Sequence, residues 1–223
     1  MENTALKADF SDTAGGQYAG KTAAQRHQAR HQQLIEAGIK LAGTGGQKAA
    51  TVNAICAEAG LTKRYFYESF SSRDELISAA YAVVSNELKQ QVRAALQATI
   101  STPSKMSEAS LATLFHYIGD NPARGRFLIL EVLSFNNLAI SQAYDDNVRD
   151  FANILLEINS PLMPPTAPPK SMQQIATQGA IGAICYLAQR WIMTGYEQPV
   201  TELVEASQLL LNGLKQQFGI ELT

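Results

Sequence analysis

The sequence predicts an all-α protein of about nine helices. Three observations carry this. Apolar residues recur at three-to-four spacing along most of the chain, and no stretch alternates convincingly as a strand would. The interruptions are short and rich in Gly, Pro, Ser or Asn, the residues that end helices. At 223 residues and 46% hydrophobic, the chain has enough apolar side chains for a substantial core.

Residues 1–20 mix Gly, Ala, Ser, Thr and Asp without a period and are expected to form a flexible tail, turning helical toward its end. A first helix is expected from near Thr22 to before Gly45-Gly46, with Leu34, Ile35, Gly38, Leu41 and Ala42 inward. Residues 50–70, ATVNAICAEAGLTKRYFYESF, organise what surrounds them. Thr51 can cap a helix carrying Val52, Ile55 and Cys56. Gly60 can end it in a left-handed turn. Thr62 can cap a second short helix with Phe66 and Phe70 on one face. That is a helix-turn-helix pattern. The outer face of its second helix carries Lys63, Arg64, Tyr65, Tyr67 and Glu68, a mixture suited to phosphates and base edges. Ser72 and Glu75 read as a capping box opening a long fourth helix through Leu96.

Helix 5 is expected from Ser107 to Ile118, closed by Gly119. Asn121-Pro122 opens helix 6, read as PARGRFLILEVLSF. Helix 7 spans about Leu138 to Ile158, with Tyr144, Val148, Phe151, Leu155 and Ile158 on one face. Five prolines between Ser160 and Lys170 predict an extended loop. Helix 8 runs from about Ser171 to Thr194 and helix 9 from about Val200 to Phe218.

From Arg30 to Leu76 the chain resembles the DNA-binding domain of TetR-family transcriptional regulators. The matching pieces are LIEAGIKLAGTGG, ATVNAICAEAGLT, KRYFYESF and SSRDEL, in that order. NPARGRFLILEVLSFN extends the likeness into the following segment. The resemblance implies a tail at 1–20, a DNA-binding domain at 21–76, and a helical ligand-binding and dimerisation domain at 77–223. It implies a cytoplasmic, bacterial, sequence-specific regulator that represses from a palindromic operator and is released by a small, largely apolar effector. DNA contacts are then expected from Arg30, Thr51, Thr62, Lys63, Arg64, Tyr65, Tyr67 and Arg73. Arg64 and Ser69 depart from the residues common at those positions in the family. A cavity among helices 4 to 8 is expected to use Phe115, Phe127, Glu131, Tyr144 and Trp191. The homodimer is expected to form through helices 8 and 9, with Gly179, Gly182, Ile184, Leu187, Leu203, Leu210 and Leu214 at the interface. Two other readings stay open: a ligand-independent activator or architectural DNA-binding protein, and an all-helical interaction or lipophile-binding protein.

Other functions find little support. No G-x-S-x-G, H-E-x-x-H or glycine-rich phosphate loop is present, so no enzyme and no cofactor are expected. His27 and His31 lie four apart, a spacing that can hold a metal, but no nearby Cys or acidic pair completes a site, and none is expected. Cys56 and Cys185 stand alone in apolar contexts, so neither a disulfide framework nor a zinc site follows. No apolar run approaches the roughly 18 residues of a membrane span, and the N-terminus lacks the pattern of a secretory signal. Net charge is -2, yet residues 21–75 hold eight basic residues against five acidic ones. A modestly basic head on an acidic body fits DNA contact at one end.

Overall fold

Thr22 opens the first helix of the computed structural model, which describes residues 22–135 and 138–220. The expected tail lies outside the described residues. Thr22 accepts from the Gln25 backbone N–H, and Gln25 answers the Thr22 N–H, a complete capping box. Nine α-helices and no strand stand among the described residues. They are α1 (Ala23–Gly45), α2 (Val52–Glu58), α3 (Lys63–Ser69), α4 (Arg73–Ala98), α5 (Pro103–Asp120), α6 (Pro122–Ile129), α7 (Leu138–Asn159), α8 (Lys170–Met193) and α9 (Val200–Gln217).

The head forms around α1. Leu34, Ile35, Ile39 and Ala42 of α1 meet Ile55, Phe66, Phe70, Leu76 and Ile77, all buried. Thr51 caps α2 by accepting from the Ala54 N–H at 3.2 Å. Gly60 takes φ +65° in the turn to α3, a region open to glycine without strain. Thr62 sits at the start of α3 but its hydroxyl makes no capping bond, contrary to expectation. The capping box at α4 is half formed. Ser72 accepts from the Glu75 N–H, but the Glu75 carboxylate turns to the N–H and hydroxyl of Ser71. Those two donors hold the Glu75 carboxyl below its usual pKa.

The body differs from its sequence reading at three places. α5 begins four residues earlier than Ser107, because Pro103 is suited to the first helical position, where its missing N–H costs nothing. Gly119 lies inside α5 rather than closing it. α6 stops at Ile129, and Glu131–Ser134 form a 3₁₀ turn. At three residues per turn, Val132 and Phe135 fall on one side, and both are buried. The proline-rich loop carries one 3₁₀ turn at Ser160–Leu162.

One apolar core runs from head to body. α4 links them, with Leu76, Ile77 and Ala80 in the head and Val84, Leu88, Val92 and Leu96 in the body. α6 also reaches the head. A Cβ on Gly43 of α1 would lie 1.9 Å from the Ala123 carbonyl oxygen, so only glycine allows this approach.

Candidate nucleic-acid interface and ligand cavity

Burial of Phe66 and Phe70 against α1 fixes which face of α3 turns outward. Lys63, Arg64 and Tyr67 are exposed there, Tyr67 by 60%. Tyr65 is half-buried, with the Arg30 guanidinium 4.4 Å from its ring centroid. This contact joins a cation to the aromatic face and ties α3 to α1. Glu68 gathers the cations around it: Arg64 Nε lies 2.9 Å and Arg30 Nη2 3.9 Å from its carboxylate. Both pairs face solvent and add little stability. Arg64 is therefore free to exchange Glu68 for another anion, whereas Arg30 is held by two partners. Thr51 and Thr62 are exposed. Arg73 is half-buried beside Asp74 and stacks over Phe135, 5.6 Å from the ring centroid. His27 approaches the Glu68 carbonyl, and His31 stacks on Phe70 at 4.6 Å. Cys56 is buried in the head, which pushes its thiol pKa up against the pull of Lys63.

The body encloses a cavity among α4, α5, α6, α7, α8 and α9, with about 750 Å³ of space including its mouth. Its walls are mostly apolar: Leu88, Val92, Leu111, Leu128, Ile129, Phe151, Ile154 and Ile181 among them. Tyr81, Ser110, Tyr144, Asn147 and Cys185 supply the polarity, and no charged side chain lines it among the described residues. Ser85 donates to the Asn147 side-chain carbonyl behind the wall. The Tyr81 hydroxyl lies toward Asn147 but has no partner at hydrogen-bond distance among the described residues. Burial raises the Tyr81 pKa and pushes Tyr144 up to about 12, so both stay neutral phenols. Cys185 is pushed up to about 11 by burial, only partly offset by the Tyr144 hydroxyl.

Residues 34–80 match the family model described as bacterial regulatory proteins, tetR family. That match lies in the head, over the helix-turn-helix. No curated protein sequence matches it. Solved structures match over more than four fifths of this chain. A transcriptional regulator from Rhodococcus sp. Rha1 shares 14% identity at TM-score 0.72, over 86% of this chain and 98% of that one. FadR from Bacillus subtilis, solved with stearoyl-CoA, shares 17% at TM-score 0.64, over 84% and 98%. The multidrug binding protein EbrR, solved with malachite green, shares 15% at TM-score 0.63, over 81% and 97%. At these identities the likeness is one of fold, and the fold is that of tetR-family regulators.

Within this tetR-family fold, four of the five expected cavity residues lie elsewhere. Phe115 and Phe127 are fully buried, and Trp191 is buried with its indole N–H donating to the Gln198 carbonyl at 2.9 Å. Phe115 and Trp191 pack edge to face, so these three aromatics are core. Glu131 pairs with Arg126 at 3.4 Å, which satisfies the acid without a ligand. Tyr144 alone of the five lines the cavity. Asn147 was legible as a polar residue one turn on from Tyr144 within an apolar stripe. Tyr81 and Ser110 carried no such signal.

The expected dimer residues divide. Ile184 and Leu203 turn inward, 3% and 7% exposed, because they fill the protomer's own core. Leu187 and Leu214 are half-buried. Gly179, Gly182 and Leu210 face outward, alongside Ile175 (71% exposed), Tyr186 (60%) and Leu209 (76%).

Proposed function

We propose that this protein is a transcriptional regulator that binds a palindromic operator as a homodimer and is released by a small, largely apolar effector. The observation that carries the reading is the pairing of an exposed cationic and aromatic α3 with an uncharged cavity in one tetR-family fold. Lys63, Arg64 and Tyr67 are free to enter a major groove, while Thr51, Thr62 and Arg73 fix register on phosphates. Arg30 supports α3 through Tyr65 and Glu68. Residues 21–76 would form the DNA-binding domain, and 77–223 the effector and dimerisation domain, in the bacterial cytoplasm. FadR with stearoyl-CoA and EbrR with malachite green have this fold with organic ligands bound.

Dimerisation through α8 and α9 would cover the apolar face that includes Ile175, Tyr186 and Leu209. A Cβ on Gly179 or Gly182 would meet nothing within 4 Å in the protomer, which leaves room for a partner helix. Two heads related by a two-fold axis would then read two half-sites.

The route from cavity to head runs through α6. Leu128 and Ile129 line the cavity. On the same helix, Arg126 Nε donates to the Gly43 carbonyl at 3.1 Å, and Arg124 bridges Glu36 of α1 at 2.8 Å and Glu87 of α4 at 3.6 Å. An effector that favours a different α6 position shifts α1 with it, and so the spacing of the heads. The test is a gel shift on DNA flanking the protein's own gene. Lys63→Ala with Arg64→Ala is expected to abolish the competitor-resistant complex while the dimer persists in sedimentation. Unchanged operator affinity would refute the role of α3.

A further inference from the structure

A second, smaller cavity adjoins the first where α5 begins and α7 and α9 end. Ser107, Asn159, Thr177 and Lys215 contribute to its wall, and Leu155 and Leu211 line both cavities. Its polar groups are poorly matched within the chain. Lys215 Nζ donates to the Ser107 hydroxyl at 2.6 Å, and Lys215 forms no ion pair among the described residues. Burial pulls its ammonium pKa below the usual lysine value. Thr177 is 2% exposed, and its hydroxyl has no hydrogen-bond partner among the described residues. A half-buried cation whose hydrogen bond is to a hydroxyl, beside an idle buried hydroxyl, is costly unless something completes it. The large cavity next to it is uncharged.

We propose that the two cavities hold one amphipathic effector, a straight-chain alkyl carboxylate. Its tail fills the large cavity, passes between Leu155 and Leu211, and presents its carboxylate to Lys215 and Thr177. One cation matches one negative charge, so a phosphate-bearing thioester would leave charges without partners at this site. This rests on the apolar-effector reading above and specifies the ligand class.

The test is titration calorimetry on the full-length protein with dodecanoate, dodecanol and dodecyltrimethylammonium, the two ions below their micellar concentrations and the alcohol below its solubility limit. Dodecanoate is expected to bind about ten- to hundred-fold tighter than dodecanol, the range for a hydrogen bond to a charged group. Lys215→Met is expected to bring dodecanoate down to the dodecanol level and leave dodecanol unmoved. Thr177→Val keeps the side chain's shape and should remove part of the same preference, so the test survives if the lysine variant folds poorly. Equal binding of the three ligands, or a preference for carboxylate that outlives both substitutions, overturns the inference while the apolar cavity reading stands. No binding of any of them overturns both.

Discussion

The head and the body are built from the same kind of helix, yet they use it in opposite ways. In the head, α2 and α3 are seven residues each and turn every large apolar side chain but Tyr67 inward. Short helices of this kind have no stability of their own and depend on tertiary packing. The body's helices are longer and leave an apolar space unfilled between them. A reading head needs one fixed shape, whereas an effector site needs a core that packing has not finished. Packing faults should therefore be costly in the head and tolerable around the cavity.

Phe66→Ala should break that contrast most sharply. Phe66 is fully buried and touches the rings of Tyr67 and Phe70 at centroid distances of 5.3 and 5.9 Å. Truncating such a ring costs about 3–5 kcal/mol. The expected outcome is loss of DNA binding and of head helicity, followed by circular dichroism. Phe151→Ala, on the cavity wall, should cost markedly less. Equal losses would mean that the cavity is as tightly packed as the head.

Gly43→Ala comes next and tests the seam between the two regions. The new methyl would meet the Ala123 backbone, which cannot turn aside as a side chain can. Overpacking of this kind costs about 1–3 kcal/mol. Thermal melts should show the loss, and the variant should also respond less to effector, because α1 and α6 no longer move as one. Arg126→Met removes the hydrogen bond to the Gly43 carbonyl without adding bulk. It should keep operator affinity and weaken effector release in the gel shift.

Alkaline pH sharpens the comparison within the cavity wall. Burial pushes the Cys185 thiol up to about 11 from an ordinary 9.0. The unfolded chain then loses its proton first as pH rises, so the contribution is intact below pH 9.0 and is lost as pH climbs to about 11. Cys185→Ala should therefore flatten the fall in stability over that window, at up to about 3 kcal/mol, two units at roughly 1.4 each. Urea melts at several alkaline pH values check it. Identical slopes in variant and parent would show that the thiol is well solvated.

How far the sequence could be read follows the same division. The head was legible because its constraints are local: Thr51, Gly60 and the Phe66–Phe70 pair each act within a turn or two of their own position. Its errors were local as well, such as the Thr62 hydroxyl and the Glu75 carboxylate choosing other partners. In the body, helix positions were legible but their rotations were not. Phe115, Phe127 and Trp191 look like a ligand's aromatic lining in one dimension, and only packing shows that they fill the core. Lys215 of α9 meets Ser107 of α5 across 108 residues of sequence, and no spacing announces that.

Gly179→Ala has the smallest expected effect and asks whether the body's outer face is a surface or a seam. In the protomer, a Cβ there meets nothing within 4 Å. Within helix α8, alanine is favoured over glycine by about 0.5–1 kcal/mol. A monomeric chain should therefore gain that amount, seen as a small rise in melting temperature that does not vary with protein concentration. If α8 of a second copy packs closely over this glycine, the same methyl wedges the pair apart. Stability would then fall, and fall further on dilution, because the folded dimer is linked to protomer concentration. The sign of one small shift, and its dependence on concentration, separates the two cases. Tyr186, exposed two turns along the same face of α8, gives the matching control. Tyr186→Ser should be silent in a monomer and should promote dissociation in a dimer. A gain at Gly179 together with silence at Tyr186 would move the two-fold axis off α8 and require another surface to set the half-site spacing.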